Sequence, residues 1–226
     1  MPFPRACAYE GAMNPLPRAL FEATDIAPAL PQGCGVLVRA GTAGDPRMKG
    51  SFVIVDGAVE AETLRRAIGG GAAGIALSGW RTGADLQRLA TLLSVAEAEE
   101  GREDGRTGIL AITDGILPAP LSPQGLAGKS GRLAALIWDQ GLLKQTLGAS
   151  RTLTQTGEWT AAFAAARSAA LLAAAAAGIP TYDSLPEVTG AALVTACERS
   201  RDDGFFGGLA AHAAQIKPIR TVWEGD

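Results

Sequence analysis

Short, continuously apolar runs alternate with longer helical stretches along most of this chain, and few folds accept that rhythm. Alternation of this kind builds βα units around a parallel sheet. The runs FVIVD (52–56), GILAIT (108–113) and ALIW (135–138) lack the polar–apolar alternation of a half-exposed strand and read as strands covered on both faces. Strands are expected at Ala6–Glu10, Gly35–Arg39, Phe52–Asp56, Ala73–Leu77, Gly108–Thr113, Ala134–Trp138, Pro180–Asp183 and Gly204–Phe206. Helices are expected at Val59–Ile68, Ala84–Glu99, Leu142–Leu147, Trp159–Ala177, Glu187–Arg201 and Ala210–Ile216. The fourth of these is closed by Gly178 and Pro180, a clear stop signal. Eight strands with interleaved helices make an α/β (β/α)8 TIM barrel, trimmed because 226 residues is short for one. The trimming falls at Thr42–Gly50, read as a turn, while Gly115–Gly131 reads as a long connection over one end.

A chain of this length buries a core without staples and suits one barrel domain over residues 1–226. Hydrophobic residues at 47% and charged residues at 19% mark a globular chain. The net charge of −3, with no basic run, argues against nucleic acid as a partner. Cys7, Cys34 and Cys197 are odd in number and far apart, as in a reducing compartment. MPFPRACAYEG has no long apolar centre and is not read as a signal peptide, so a cytoplasmic location is expected. The most apolar stretch, Trp159–Gly178, is mostly alanine and carries Arg167, which suits a packed helix and no membrane partner.

Acids fall at informative places. Asp56, Asp114, Asp139 and Asp183 each stand at or just past the C-terminal end of an expected strand. In a parallel barrel those ends converge on one mouth, where active sites are built. Gathered carboxylates there suit Mg2+, a hard cation that keeps several waters. Such an ion polarises a carbonyl and stabilises the enolate formed when an adjacent C–C bond breaks. The plainer alternative is that aspartate after a strand caps the next helix, and Asp139 is the strongest case. His212, the only histidine, excludes a multi-histidine zinc site within one chain. Gly69-Gly70-Gly71 precedes a strand and reads as a helix terminator, not a phosphate loop. Arg81, just past AGIAL, is placed to meet an anionic substrate if it faces the mouth.

The C-terminal part carries a resemblance. ARSAALLAAAAAGIPTYDSLPEV followed by GFFGGLAAHAAQIKPIRTVW resembles the end of citrate lyase β-subunit-like proteins of the HpcH/HpaI aldolase family. Gly178, Ile179, Pro180 and Asp183 match one motif, and Gly204, Phe205, Gly207, His212, Gln215 and Ile216 match another. RLAALIWDQGLLKQTLGA, the segment from Gly71 to Gly101 and the opening PRACAYEGAMNPLPRAL, read as a first strand and helix, also resemble the family. The resemblance implies a TIM barrel, Mg2+, a homo-oligomer (trimers are common), and C–C cleavage or formation in acyl-CoA thioesters or related dicarboxylate substrates.

Several positions depart from that pattern. The family's metal ligands are a Glu after the fifth strand and an Asp in a G-x-E-D-L loop after the sixth. Here those places hold Thr113 beside Asp114, and Leu142 three residues beyond Asp139. Two readings follow. In a divergent lyase, Asp114, Asp139 and Asp56 hold Mg2+, Arg39 or Arg81 holds the anionic acyl group, and Asp183 acts as a general acid/base or supports the site. In the other, the barrel has lost the chemistry and serves as a binding or accessory subunit.

Overall fold

The computed structural model describes residues 15–23, 32–40, 49–120 and 122–225. Eight parallel strands close into a barrel: β1 (Ala19–Glu22), β2 (Gly35–Arg39), β3 (Phe52–Val55), β4 (Gly74–Leu77), β5 (Gly108–Thr113), β6 (Leu133–Trp138), β7 (Thr181–Ser184) and β8 (Gly207–Ala210). Each strand pairs with the next in sequence, and β1 pairs β8 through Ala19–Gly208, Leu20–Leu209 and Phe21–Ala210. Helices α1 (Ala61–Gly69), α2 (Gly83–Glu99), α3 (Gln140–Leu147), α4 (Ala161–Ala177), α5 (Gly190–Asp203) and α6 (Ile216–Glu224) complete the fold. No helix among the described residues is long and apolar enough to cross a membrane.

Side-chain parity sets the layers, because alternate strand residues point to opposite faces. Leu20, Leu37, Ile54, Ala76, Leu110 and Ile137 pack together inside the barrel. Their neighbours Val38, Val53, Val55, Leu77 and Trp138 point outward and pack with helix residues such as Leu64, Leu89 and Phe163. Both faces of the strands are therefore apolar, which is why the runs read as continuous. The α2 stripe Leu86, Leu89, Leu93 and Ala96 is buried at helical spacing.

Two expectations are corrected at the ends of the chain. The first strand of the closed barrel is Ala19–Glu22, in a stretch read as helix; the reading at Ala6–Glu10 lies outside the described residues, as does most of Thr42–Gly50. The last strand begins at Gly207, not Gly204, because Gly204 (φ 105°) ends α5 in the left-handed conformation. Ala210 consequently belongs to β8, and the last helix starts at Ile216, with Pro218 tolerated in its first turn.

Candidate functional site

At the C-terminal ends of the strands, the parity that buries Leu37 and Ile54 directs Arg39 and Asp56 toward the mouth. A cleft of about 520 Å³ opens there over β2, β3 and β4, lined by Arg39, Asp56, Glu60, Thr63 and Ser78 above Ile54 and Val55. A cavity of about 680 Å³ lies at the other end of the barrel, against Pro17, Gly35, Phe52 and Arg102 at the strands' N-terminal ends. Chemistry in this architecture is built at the C-terminal face, so the smaller cleft is the candidate.

Arg39 and Arg81 are both exposed cations held by carboxylates. The Arg39 Nη2 lies 2.9 Å from Glu22 Oε1, at the end of β1. Arg81 Nη1 donates to Asp114 Oδ2 at 3.1 Å. Asp114 is buried, and its other oxygen accepts the Ile116 N–H at 3.0 Å while Thr146 Oγ1 donates to Oδ2 at 3.2 Å. Both of its oxygens are thus engaged, and its visible work is to hold Arg81.

Asp139 behaves as the expected cap: its Oδ1 accepts the N–H groups of Gly141 (2.7 Å) and Leu142 (3.4 Å) at the start of α3. Burial pushes its carboxyl above the usual range, opposed by those N–H groups and by the charge of Arg39. Among the described residues nothing donates to its Oδ2. Asp56 is exposed and forms a tight turn, its Oδ1 accepting the Ala58 N–H at 2.8 Å and its Oδ2 without a donor among the described residues.

The three aspartates read as metal ligands are therefore not drawn into one cluster, and no three His, Cys, Asp or Glu side chains among the described residues are grouped to hold a metal. The donor set still fits Mg2+ of the water-rich kind, which takes one or two carboxylates and completes its shell with water and substrate oxygens. Asp139 and Asp56 each have one oxygen for that purpose; Asp114 has none without giving up a bond.

Asp183 is the placement that the structure corrects. Tyr182 points into the barrel, so Asp183 points out, toward the helix layer. It is 1% exposed and accepts three hydrogen bonds of 2.7–3.1 Å from Arg167 on α4. Arg167 also reaches Asp203 at 2.6 Å and stacks over the Phe205 ring, its carbon 4.5 Å from the centroid. Burial works against the Arg167 charge, but the two carboxylates more than restore it. This is a buried fork that joins α4 to β7, away from the mouth.

Sequence reasoning missed Glu22, Glu60, Thr63 and Ser78. Glu22 was hidden by the misplaced first strand, while Ser78 directly follows β4 on the side of Ala76 and was findable by parity alone.

No family model and no curated protein matches the chain. Solved structures do. RipC from Yersinia pestis superposes with a TM-score of 0.65 at 20% identity, over 91% of this chain and 94% of that one. The citrate lyase beta subunit from M. tuberculosis, complexed with oxaloacetate and magnesium, gives 0.67 at 18% identity over 92% and 97%. A Haloferax volcanii malate synthase in a pyruvate/acetyl-CoA ternary complex gives 0.66 at 15% identity over 92% and 70%. The shared property at these identities is the fold, and the neighbours include the citrate lyase β subunits to which the sequence was likened.

Proposed function

We propose, from the barrel that this chain shares with citrate lyase β subunits and a malate synthase, that it is a divergent carbon–carbon lyase of that class. Its substrate would be an acyl-CoA thioester or a related malyl- or citramalyl-type carboxylate, bound in the mouth with Mg2+. The observation that carries the reading is the mouth itself: Arg39, Asp56 and Ser78 line one open cleft, and Arg39 is near enough for its charge to act on the half-buried Asp139. That combination pairs an anion-binding group with carboxylates that keep free oxygens.

Arg39, steered by Glu22, and Arg81, steered by Asp114, are the groups that would receive the substrate's carboxylate or thioester oxygen. Asp139 and Asp56 would hold the metal. When bound, Mg2+ supplies Lewis acidity at the substrate carbonyl. Ser78, which lines the cleft, would donate or accept a hydrogen bond to the substrate. Asp183 has a structural part in this scheme, through Arg167.

Melting temperature followed during a Mg2+ or Mn2+ titration is the test. An ion that binds the folded state at 100 times its Kd stabilises it by about 2.7 kcal/mol, and Asp139→Asn should abolish the rise. No response up to millimolar metal, together with no turnover of malyl-CoA or citramalyl-CoA, sinks the proposal. A second reading, a binding or accessory subunit, draws on Thr113 and Leu142 standing where the family's ligands would be. It predicts that an acyl-CoA binds without being cleaved.

A further inference from the structure

Asp85 and Arg88 stand three residues apart on α2 and so share one face of the helix. Asp85 Oδ2 accepts the N–H of Arg81 at 2.8 Å and of Thr82 at 2.9 Å, which pins the loop after β4. These N–H groups hold its carboxyl below the usual range. Arg88 reaches the other way. Its guanidinium donates through Nη1 to the Gly57 carbonyl and through Nη2 to the Val59 carbonyl at 3.4 Å. An exposed arginine on an outer helix is ordinarily solvated, whereas this one bridges two carbonyls of a turn some thirty residues away.

That turn is the wall of the mouth cleft. Its amide side holds Asp56, through Ala58 N–H to Oδ1 at 2.8 Å and Val59 N–H to the Asp56 carbonyl at 3.2 Å. Its carbonyl side is held by Arg88. Packing gives the tip little help: a Cβ built on Gly57 would meet nothing within 4 Å, and only Val59 is buried. One helix face therefore braces both loops that frame the cleft.

We propose that Arg88 is a positioning residue for the mouth: by clamping Gly57 and Val59 it fixes the conformation in which Asp56 presents its free carboxylate oxygen to a bound cation. The proposal rests on the mouth being a cation and substrate site, so two independent measurements are needed. The first is hydrogen exchange of residues 57–60 in the wild type, Arg88→Met and Arg88→Lys. Exchange of the Ala58 and Val59 amides should rise about tenfold in Arg88→Met, in keeping with loss of a local clamp. Lysine, with one ammonium in place of a fork, should restore part of the protection. Unchanged exchange in Arg88→Met overturns the proposal.

The second is Mn2+ affinity, with Asp56→Asn as the reference for loss of the ligand. Arg88→Met should weaken binding about three- to tenfold at an unchanged melting temperature, a split that a merely stabilising residue would not give. Binding as tight as in the wild type overturns the positioning role even if exchange rises. A wild type that binds no Mn2+ defeats the reading of the mouth as a cation site, and the exchange experiment then decides the clamp by itself.

Discussion

Glu97 shows how a charge survives full burial. It is 0% exposed on α2, and its carboxylate accepts the N–H of Gly105 at 2.9 Å and of Thr107 at 2.6 Å, and Arg132 Nη2 at 2.7 Å. Arg132, itself buried, also pairs with Asp104 and donates to Ser94 Oγ at 3.0 Å. Burial alone would push the Glu97 carboxyl up; Arg132 and the N–H groups outweigh it, and the net shift is downward. A carboxyl held low in the folded state stabilises it above the ordinary glutamate pKa of about 4.3, and that contribution is lost as pH falls through the lower folded value. Glu97→Gln should cost about 3 kcal/mol at neutral pH, because the only carboxylate then left to Arg132 is the exposed Asp104. The gap between wild type and variant in urea unfolding should close as pH drops from about 5 toward 2. A gap that is constant across that range rules the linkage out. Nothing in the residue pattern marks this pair, for the same reason that Asp183 was read as facing the mouth: periodicity says which residues follow a strand, but only closure of the barrel says which way they face and which cation waits there.

At the scale of elements, six strands were legible to within about a residue or two, and the two that close the barrel, β1 and β8, were not. β3 is β-branched or aromatic at every position, and β5 and β6 are almost wholly apolar with Ile109, Ile112, Ile137 and Trp138 among their residues, so propensity and burial agree. β1 is four residues, ALFE, preceded by two prolines, and is a strand because β2 and β8 supply partners on both sides. β8 is GGLA, and its glycines weaken the local signal while tertiary contact requires them. The connection after β5 shows the same dependence on contact. Gly115 has φ 87°, and a Cβ there would lie 2.6 Å from the Cβ and 2.7 Å from the carbonyl oxygen of Ala166 on α4. Gly157 has a similar φ of 81° with nothing within 4 Å. Gly157→Ala should therefore cost only the backbone penalty, about 1–2 kcal/mol. Gly115→Ala should cost that and a further 1–3 kcal/mol or so from overpacking against a helix backbone that cannot yield locally. Denaturant unfolding of the two variants gives the comparison; equal losses would mean that α4 shifts freely and that the close approach constrains nothing.

The molecule as a whole depends on a seam. A barrel has no sheet edge only while its first and last strands stay paired, and here the seam joins two of the shortest strands, β1 and β8. Gly207 sits at its start. A Cβ on Gly207 would come 2.1 Å from the Arg18 carbonyl oxygen, the same oxygen that accepts the Gly208 N–H at 2.9 Å. That oxygen is backbone and already committed to the seam, so relief of the clash means parting the strands. The interior core is shared by all eight strands, with Leu20 and Leu209 packed in one cluster with Ile54, Leu110 and Ile137. Parting the seam therefore admits water to side chains on the far side of the barrel. Gly207→Ala should lose about 3 kcal/mol or more, whereas Gly57→Ala, with open space around it, should stay within about 1 kcal/mol. The loss should be global: a lower urea midpoint with an unchanged slope, and faster exchange in β4 and β5 as well as in β1 and β8. Faster exchange confined to β1 and β8 at an unaltered midpoint would show instead that the seam opens by itself, and that the remaining strands hold the mouth together without it.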